Sequence, residues 1–171
     1  MNHIGFAPVA CTDALVLILG TLPGKLSLER KEYYAQPRNL FWPVMGEILG
    51  FSPDLPYAAR VQCLQQKGIA LWDVCAAGHR NGSLDSRIEI ETVVPNHFSD
   101  FFKTHPQVGL ICFNGAKAEV IFCQKVIPNL APPANGIPRK VLPSTSPAHA
   151  AMPREQKREC WQAALSAVLG I

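Results

Sequence analysis

The 171-residue sequence lacks the features of several familiar protein classes. Its six cysteines, at positions 11, 63, 75, 112, 123 and 160, include no close pair, which excludes the CxxC spacing of zinc sites and a compact iron–sulfur motif. No segment approaches the ~18 uninterrupted apolar residues that span a bilayer. The N-terminus has neither the basic start nor the long apolar run of a secretory signal. We therefore expect a cytoplasmic protein with no membrane role.

Motifs for nucleotide cofactors, metals and serine nucleophiles are missing as well. The segment GTLPGK, Gly20 to Lys25, is not a phosphate-binding P-loop, because its lysine is not followed by Ser or Thr, and GxGxxG is absent. The five histidines are scattered and no helix carries paired carboxylates. The segment PSTSPAHA, Pro143 to Ala150, has three hydroxyls but not the GxSxG setting of a nucleophile. The sequence predicts no cofactor and no metal.

Composition and charge set only broad bounds. Hydrophobic residues make up 48% and charged residues 17%, an ordinary globular composition. The length suits one domain over residues 1–171, and no internal repeat or linker divides it. The net charge of +3 permits a polyanionic partner but does not establish one.

Apolar runs alternate with segments of helical spacing along the chain. Buried strands are predicted at 14–20, 69–74, 108–114 and 139–142, and helices at 39–50, 57–67, 97–105, 115–127 and 153–170. The polar segments 21–37 and 75–87 are predicted as loops. This alternation predicts an α/β fold whose mostly parallel, four-stranded sheet is covered by helices on both faces.

Ligands of such sheets bind beyond the carboxyl ends of the strands. Four segments are expected there: 21–39, 75–87, 114–115 and 143–152. We therefore look for the functional residues in these loops.

The stretch YYAQPRNLFWP, residues 33–43, is the most unusual of them. Its two prolines stiffen the backbone, and we expect Tyr33, Tyr34, Arg38 and Asn39 to be displayed at the ligand end of the sheet. An aromatic ring stacked on a base contributes roughly 1 to 3 kcal/mol. A neutral amide can orient water or bind a base edge without a fixed charge. The helical spacing makes Phe41 and Trp42, by contrast, packing residues.

Two further features have two interpretations each. Residues 143–150 form either a phosphate clamp of hydroxyls and free N–H groups or a turn stabilised by local Ser and Thr hydrogen bonds. Asp73, at the end of a buried strand, either caps the following turn or contacts a substrate.

With these residues in view, the chain resembles the uracil-DNA glycosylase superfamily, and within it the hypoxanthine-DNA (deoxyinosine) glycosylase branch. Four blocks between Val16 and Ala150 carry the resemblance: LILGTLPGKLSL, YYAQPRNLFWPVMGEILG, GIALWDVCAAGHRNGSLDSRI and LPSTSPAHA. The second block is the most specific. It is also similar, more loosely, to mismatch-specific uracil and thymine glycosylases.

The resemblance implies a three-layer α/β/α sandwich and a monofunctional enzyme that hydrolyses the bond between a deaminated base and deoxyribose. It implies that Tyr34 stacks on the extruded base, that Asn39 is the main catalytic side chain, and that Ser144 to Pro147 belong to a loop gripping the DNA strand. We expect the other base contacts from Thr21, Leu22, Pro23, Gly24, Asp73 and Asn114. We expect DNA-strand contacts from Lys25, Arg38, Arg80, Ser144, Thr145, Ser146 and His149.

The implied partner is DNA containing deaminated bases, bound by a monomer in the cytoplasm at the nucleoid. Leu22 stands where mismatch uracil glycosylases have an asparagine, and Leu142 stands where uracil-specific enzymes have a histidine. These departures leave three alternatives: a mismatch-specific uracil or thymine glycosylase, a catalytically silent DNA-damage binding module, and a small enzyme acting on free nucleosides.

Overall fold

The computed structural model describes residues 2–171, and its centre is a four-stranded parallel sheet. The strands are β2 (Val16–Gly20), β3 (Ile69–Asp73), β6 (Leu110–Asn114) and β7 (Arg139–Leu142), in the spatial order β3-β2-β6-β7. Each pair of neighbours is parallel. The predicted four-stranded sheet is confirmed, with strand ends that differ by no more than two residues.

Helices cover both faces of this sheet, as the sequence predicted. On one face, β2 residues Val16 and Ile18 pack with α2 (Phe41–Leu49), α3 (Tyr57–Gln66) and α6 (Arg154–Leu169). On the other face, their neighbours in the strand pack with α4 (Phe98–Thr104) and α5 (Ala116–Lys125). Successive side chains of a strand alternate between faces, so a strand that is apolar throughout requires a layer on each side.

The helix ends follow local backbone chemistry. Helix α2 ends at Gly50, whose φ of 78° is a left-handed conformation that glycine adopts without a steric cost. Helix α6 ends in the same way at Gly170, with φ of 66°. Phe41 and Trp42 are buried at the start of α2, which confirms them as packing residues.

The segment 21–37, predicted as a loop, contains a short helix, α1 (Lys25–Arg30). This prediction was wrong because the two glycines and two prolines of the segment flank the helix rather than interrupt it.

The segment 75–87 also differs from the prediction, since it begins with a strand, β4 (Cys75–His79). This strand pairs with β1 (Asn2–Ile4) and with β5 (Val94–Pro95) in a small antiparallel sheet. Its sequence, CAAGH, has little β-propensity of its own. Pairing with two segments distant along the chain makes it a strand, so local sequence did not reveal it.

Within residues 2–171, no helix combines the length and the apolar character needed to cross a bilayer.

Candidate active site

A cavity of about 670 Å³ opens where β2, β3 and β6 end. It lies between the segment after β2, the loop before α2, the loop after β4 and the loop after β7. The sequence predicted these four regions as the ligand end of the sheet. All but one of the predicted site residues line the cavity; the exception is His149, which is exposed on the surface.

Tyr34 presents its ring to the cavity from a strained backbone. Its φ of 56° is left-handed, which is rare for a bulky residue. The ring stacks on the buried Phe41 at 4.0 Å between centroids, so one face is covered by protein. Tyr34 lines the cavity and Phe41 does not. Strain of this kind persists where the surrounding structure fixes a residue for a function.

Tyr33 differs from the prediction that it is displayed. It is 4% exposed, and its hydroxyl donates to the Ala7 carbonyl at 3.0 Å. Its backbone N–H donates to the Tyr57 hydroxyl, and its ring packs edge-on against Phe6. Tyr33 therefore anchors the loop, because these contacts hold it on the protein side.

Two polar atoms at the cavity have no hydrogen-bond partner among the described residues, although both are buried. They are the Tyr34 hydroxyl and Oδ2 of Asp73. A Cβ atom at Gly20 would lie 2.6 Å from Asp73 Oδ1 and 3.3 Å from the Tyr34 hydroxyl. Both groups thus sit directly over the Gly20 backbone, and any larger residue there would displace them. A buried polar group without a partner costs about 1 to 3 kcal/mol, which a polar ligand can recover.

Burial raises the pKa of the Asp73 carboxyl to about 7, assisted by the nearby Asp85 carboxylate and opposed by Arg80. Burial and Asp73 also raise the pKa of the Tyr34 hydroxyl, while the Asn114 side chain opposes the shift. At neutral pH the site therefore holds a protonated phenol beside a carboxyl group that gains or loses a proton readily.

Asn39 is held by the start of α2. Its Oδ1 accepts the Phe41 N–H at 2.9 Å, so it acts as the predicted helix cap. Its backbone N–H donates to the Gln36 carbonyl. A carbonyl oxygen has a second lone pair, and the amide nitrogen donates to no protein group among the described residues. The fixed side chain therefore keeps hydrogen-bonding capacity for a ligand or a water molecule.

Asn114 and Thr145 bind each other, which differs from the roles predicted for both. The Asn114 amide donates to Thr145 Oγ1 at 2.8 Å, and its Oδ1 accepts the Thr145 N–H at 2.9 Å. The Thr145 carbonyl accepts the Leu40 N–H at 2.9 Å, beside Asn39. Thr145 is fully buried, so it cannot reach a DNA phosphate. The pair joins the end of β6 to the loop after β7 and to the start of α2.

The loop 143–149 uses most of its backbone N–H groups internally, unlike the phosphate clamp considered above. The N–H groups of Ser146 and Ala148 donate to the hydroxyls of Ser144 and Ser146, and the His149 N–H donates to the Ser146 carbonyl. These are the local Ser bonds of the alternative interpretation. Because each hydroxyl accepts in these bonds, its proton is free to be donated outward.

Lys157 of α6, which sequence reasoning missed, supports this loop from beneath. It is 2% exposed, and its Nζ donates to the Ser144 carbonyl at 2.8 Å and to the His149 carbonyl at 2.6 Å. Burial lowers its pKa. The signal was available in the sequence only as a lysine on the apolar side of a helix, which is a weak signal since lysine stems often cover apolar surface.

Arg80 is not a phosphate contact, contrary to the prediction. It is 1% exposed, and its guanidinium donates to three carbonyls, those of Leu22, Pro23 and Gly82. It also pairs with Asp85 at 3.4 Å. Arg80 therefore ties the segment after β2 to the loop after β4.

Thr21 and Leu22 also contribute to the site differently from what was predicted. Thr21 is buried, and its hydroxyl donates to Asp85 Oδ1 at 2.7 Å, so the side chain holds Asp85. Leu22 packs into the core with a 6% exposed side chain, and Leu142 is likewise a core residue. The two positions that departed from related motifs are therefore structural. Asp85 was missed because its role depends on a contact 64 residues away.

Two cations remain open to solvent at the cavity. The Lys25 side chain is 84% exposed and only 3.9 Å from Glu29, a contact of little energetic weight. Arg38 is exposed in the loop before α2. Residues 2–171 contain no cluster of His, Cys, Asp and Glu side chains placed to hold a metal ion.

The family model for the uracil DNA glycosylase superfamily matches residues 7–168. The chain belongs to the uracil DNA glycosylase superfamily. This confirms the resemblance drawn from the four sequence blocks, and the α/β/α fold agrees with it.

Relatives within the superfamily cover nearly the whole chain. A protein of Methanosarcina acetivorans named hypoxanthine DNA glycosylase is 38% identical over 160 residues, which are 93% of this chain and 95% of that protein. A protein of the same name from Methanosarcina barkeri is 39% identical over 119 residues, 69% of this chain and 74% of that one. The solution NMR structure of a candidate uracil DNA glycosylase from M. acetivorans superposes with a TM-score of 0.79, at 34% identity and 98% coverage of both chains.

Proposed function

We propose that this protein is a monofunctional DNA glycosylase that hydrolyses the N-glycosidic bond of hypoxanthine flipped out of DNA. Membership of the superfamily supports the reaction class, and relatives named hypoxanthine DNA glycosylase support the base. The product is an abasic site in DNA, and the chain acts as a monomer.

The observation that carries the proposal is the pair of buried, unpartnered atoms on Tyr34 and Asp73 at the inner part of the cavity. A nucleobase edge offers donors and acceptors in one plane, which suits two polar atoms that lie close together over Gly20. The covered face of Tyr34 leaves the ring's cavity side for stacking against the base.

Asn39 supplies the water for hydrolysis. Cleavage of an N-glycosidic bond builds positive charge on the sugar while the base leaves with the electron pair. Asn39 Oδ1 is immobilised by the Phe41 N–H, and its remaining lone pair accepts a hydrogen bond from the attacking water. A positioned water attacks without the cost of being ordered during the reaction.

Asp73 assists the departure of the base. In its protonated form the carboxyl donates a hydrogen bond to the base, which stabilises the negative charge that develops there. The Pro23 carbonyl faces Arg80, so the Gly24 N–H of the same trans peptide points away from Arg80 and is a further donor available to a ligand.

The experiment is base-release profiling under single-turnover conditions. Duplexes carrying hypoxanthine, uracil, xanthine or a thymine mismatch are incubated with the wild type and with Asn39→Ala. We expect the wild type to release hypoxanthine fastest and Asn39→Ala to be slower by roughly 100-fold or more, as when one preorganised polar group is removed from other enzymes.

Gln36→Ala is the matched control, because Gln36 is another neutral amide at the cavity. It is expected to retain most of the activity. Faster release of uracil or thymine would identify a mismatch glycosylase, binding without release would identify a silent module, and near-normal release by Asn39→Ala would remove Asn39 from the mechanism.

A further inference from the structure

Leu84 is an exposed aliphatic side chain at the edge of the cavity. Six large hydrophobic residues are exposed within residues 2–171: Ile4, Leu84, Val94, Val120, Val141 and Ile171. Of these six, only Leu84, 44% exposed, lines the cavity. Single exposed apolar residues are common on protein surfaces, so the position and support of this one are what distinguish it.

The loop that carries Leu84 is held rigidly at both ends. The backbones of Arg80 and Ile88 form an antiparallel bridge that closes it. Inside it, the buried Arg80 donates to the Gly82 carbonyl and pairs with Asp85. Asp85, the neighbour of Leu84, also accepts the Thr21 hydroxyl at 2.7 Å. Leu84 therefore projects from a loop that is braced against the end of β2.

The other rim loop offers no comparable group. From residues 144–148 it contributes Ser144, Ser146, Pro147 and Ala148 to the lining, besides the buried Thr145. The exposed apolar part of Ala148 is one methyl group, and the Pro147 ring is partly buried. A single methyl is too small to replace a base.

Base extrusion leaves a gap in the stack and costs a few kcal/mol, less when the base is unpaired. DNA-binding proteins fill such gaps with apolar side chains, including leucine, inserted between base steps. We propose that Leu84 is the wedge that enters the duplex and occupies the gap left by the extruded nucleotide. This inference rests on the proposed function, because it requires a base to enter the cavity.

The test compares hypoxanthine release from a duplex with release from the same strand alone. A single strand has no opposing stack to hold open, so a wedge matters only in the duplex. We expect Leu84→Ala to slow single-turnover release from the duplex by about tenfold and from the single strand by no more than about twofold. Leu84→Met, which keeps an apolar chain of similar length, is expected to restore most of the duplex rate.

Val141→Ala is the matched control, because Val141 is 46% exposed and lies away from the cavity. It is expected to change neither rate. Equal losses on both substrates would make Leu84 a wall of the base pocket, and unchanged rates would give it no role; either result overturns the proposal.

A 2-aminopurine placed beside the hypoxanthine separates this inference from the proposed function. Its fluorescence rises when the neighbouring stack opens, whether or not a base is released. We expect the wild type to raise the signal on binding and Leu84→Ala to raise it much less. If the wild type opens the stack but releases no base, the proposed function fails and the wedge stands. If both proteins open it equally, the wedge fails.

Discussion

The carboxyl group of Asp73 is placed where ionisation is costly, because it is buried and faces Asp85, with only Arg80 opposing. Its pKa in the fold is about 7, against 3.8 for the free side chain. The folded state therefore binds the proton more tightly than the unfolded chain. The resulting penalty is absent below about pH 4, grows as pH rises, and is complete above about pH 7.

Asp73→Asn removes this penalty. We expect the variant to be about as stable as the wild type at pH 4 and more stable by a few kcal/mol at pH 8, since each pKa unit corresponds to about 1.4 kcal/mol. Urea unfolding at the two pH values measures the difference. Asp100→Asn, an exposed substitution on α4, is the control and should show no such trend.

The same substitution tests the donor role of Asp73 in catalysis. In the wild type, kcat/KM for hypoxanthine release should fall above about pH 7 as the carboxyl loses its proton. The amide of Asp73→Asn always donates, so its profile should be flat through this range. A fall of equal size in both proteins would assign the titration to another group.

At the scale of elements, α6 positions the loop 143–149 through Lys157. Lys157→Met leaves the Ser144 and His149 carbonyls without a donor, which costs roughly 1 to 3 kcal/mol. We expect lower stability together with weaker DNA binding, because the Ser144 and Ser146 hydroxyls lose their fixed positions. Thermal unfolding and DNA titration measure the two effects.

Lys140→Met removes the same charge from an exposed position on β7 and serves as the control. It should leave the unfolding temperature unchanged. If Lys157→Met matched Lys140→Met in both measurements, the loop would not depend on Lys157.

At the scale of the whole molecule, the modest net charge of +3 makes affinity for DNA depend on where the exposed cations lie. Lys25 and Arg38 are open to solvent at the cavity, whereas Arg80 is enclosed. Binding should weaken with salt, and Lys25→Gln with Arg38→Gln should lower the slope of log K against log salt by about 2 in magnitude. Arg80→Gln should leave the slope unchanged while lowering stability. A flat salt response of the wild type would argue against DNA as the partner.

Elements with a strong local pattern were predictable from the sequence. The apolar runs of β2, β3 and β6 and the glycine that ends α2 act through neighbouring residues, so their positions followed from spacing. The helix α1 and the strand β4 were not predictable, because the first lies among glycines and prolines and the second forms only through distant partners. The candidate site shows the same division: Asn39 and Tyr34 stood out by residue type, but Asp85 and Lys157 did not.

The sequence by itself determined the alternation of strands and helices, and hence the edge of the sheet at which a ligand binds. It also determined which family motifs are present. Only the tertiary structure decided that Arg80 and Thr145 are internal supports, that Tyr34 and Asp73 meet over Gly20 without partners, and that Leu84 projects at the rim. The physical reason is that burial and hydrogen-bond partners depend on residues far apart in the chain, whereas helical and strand periodicity depend on near neighbours.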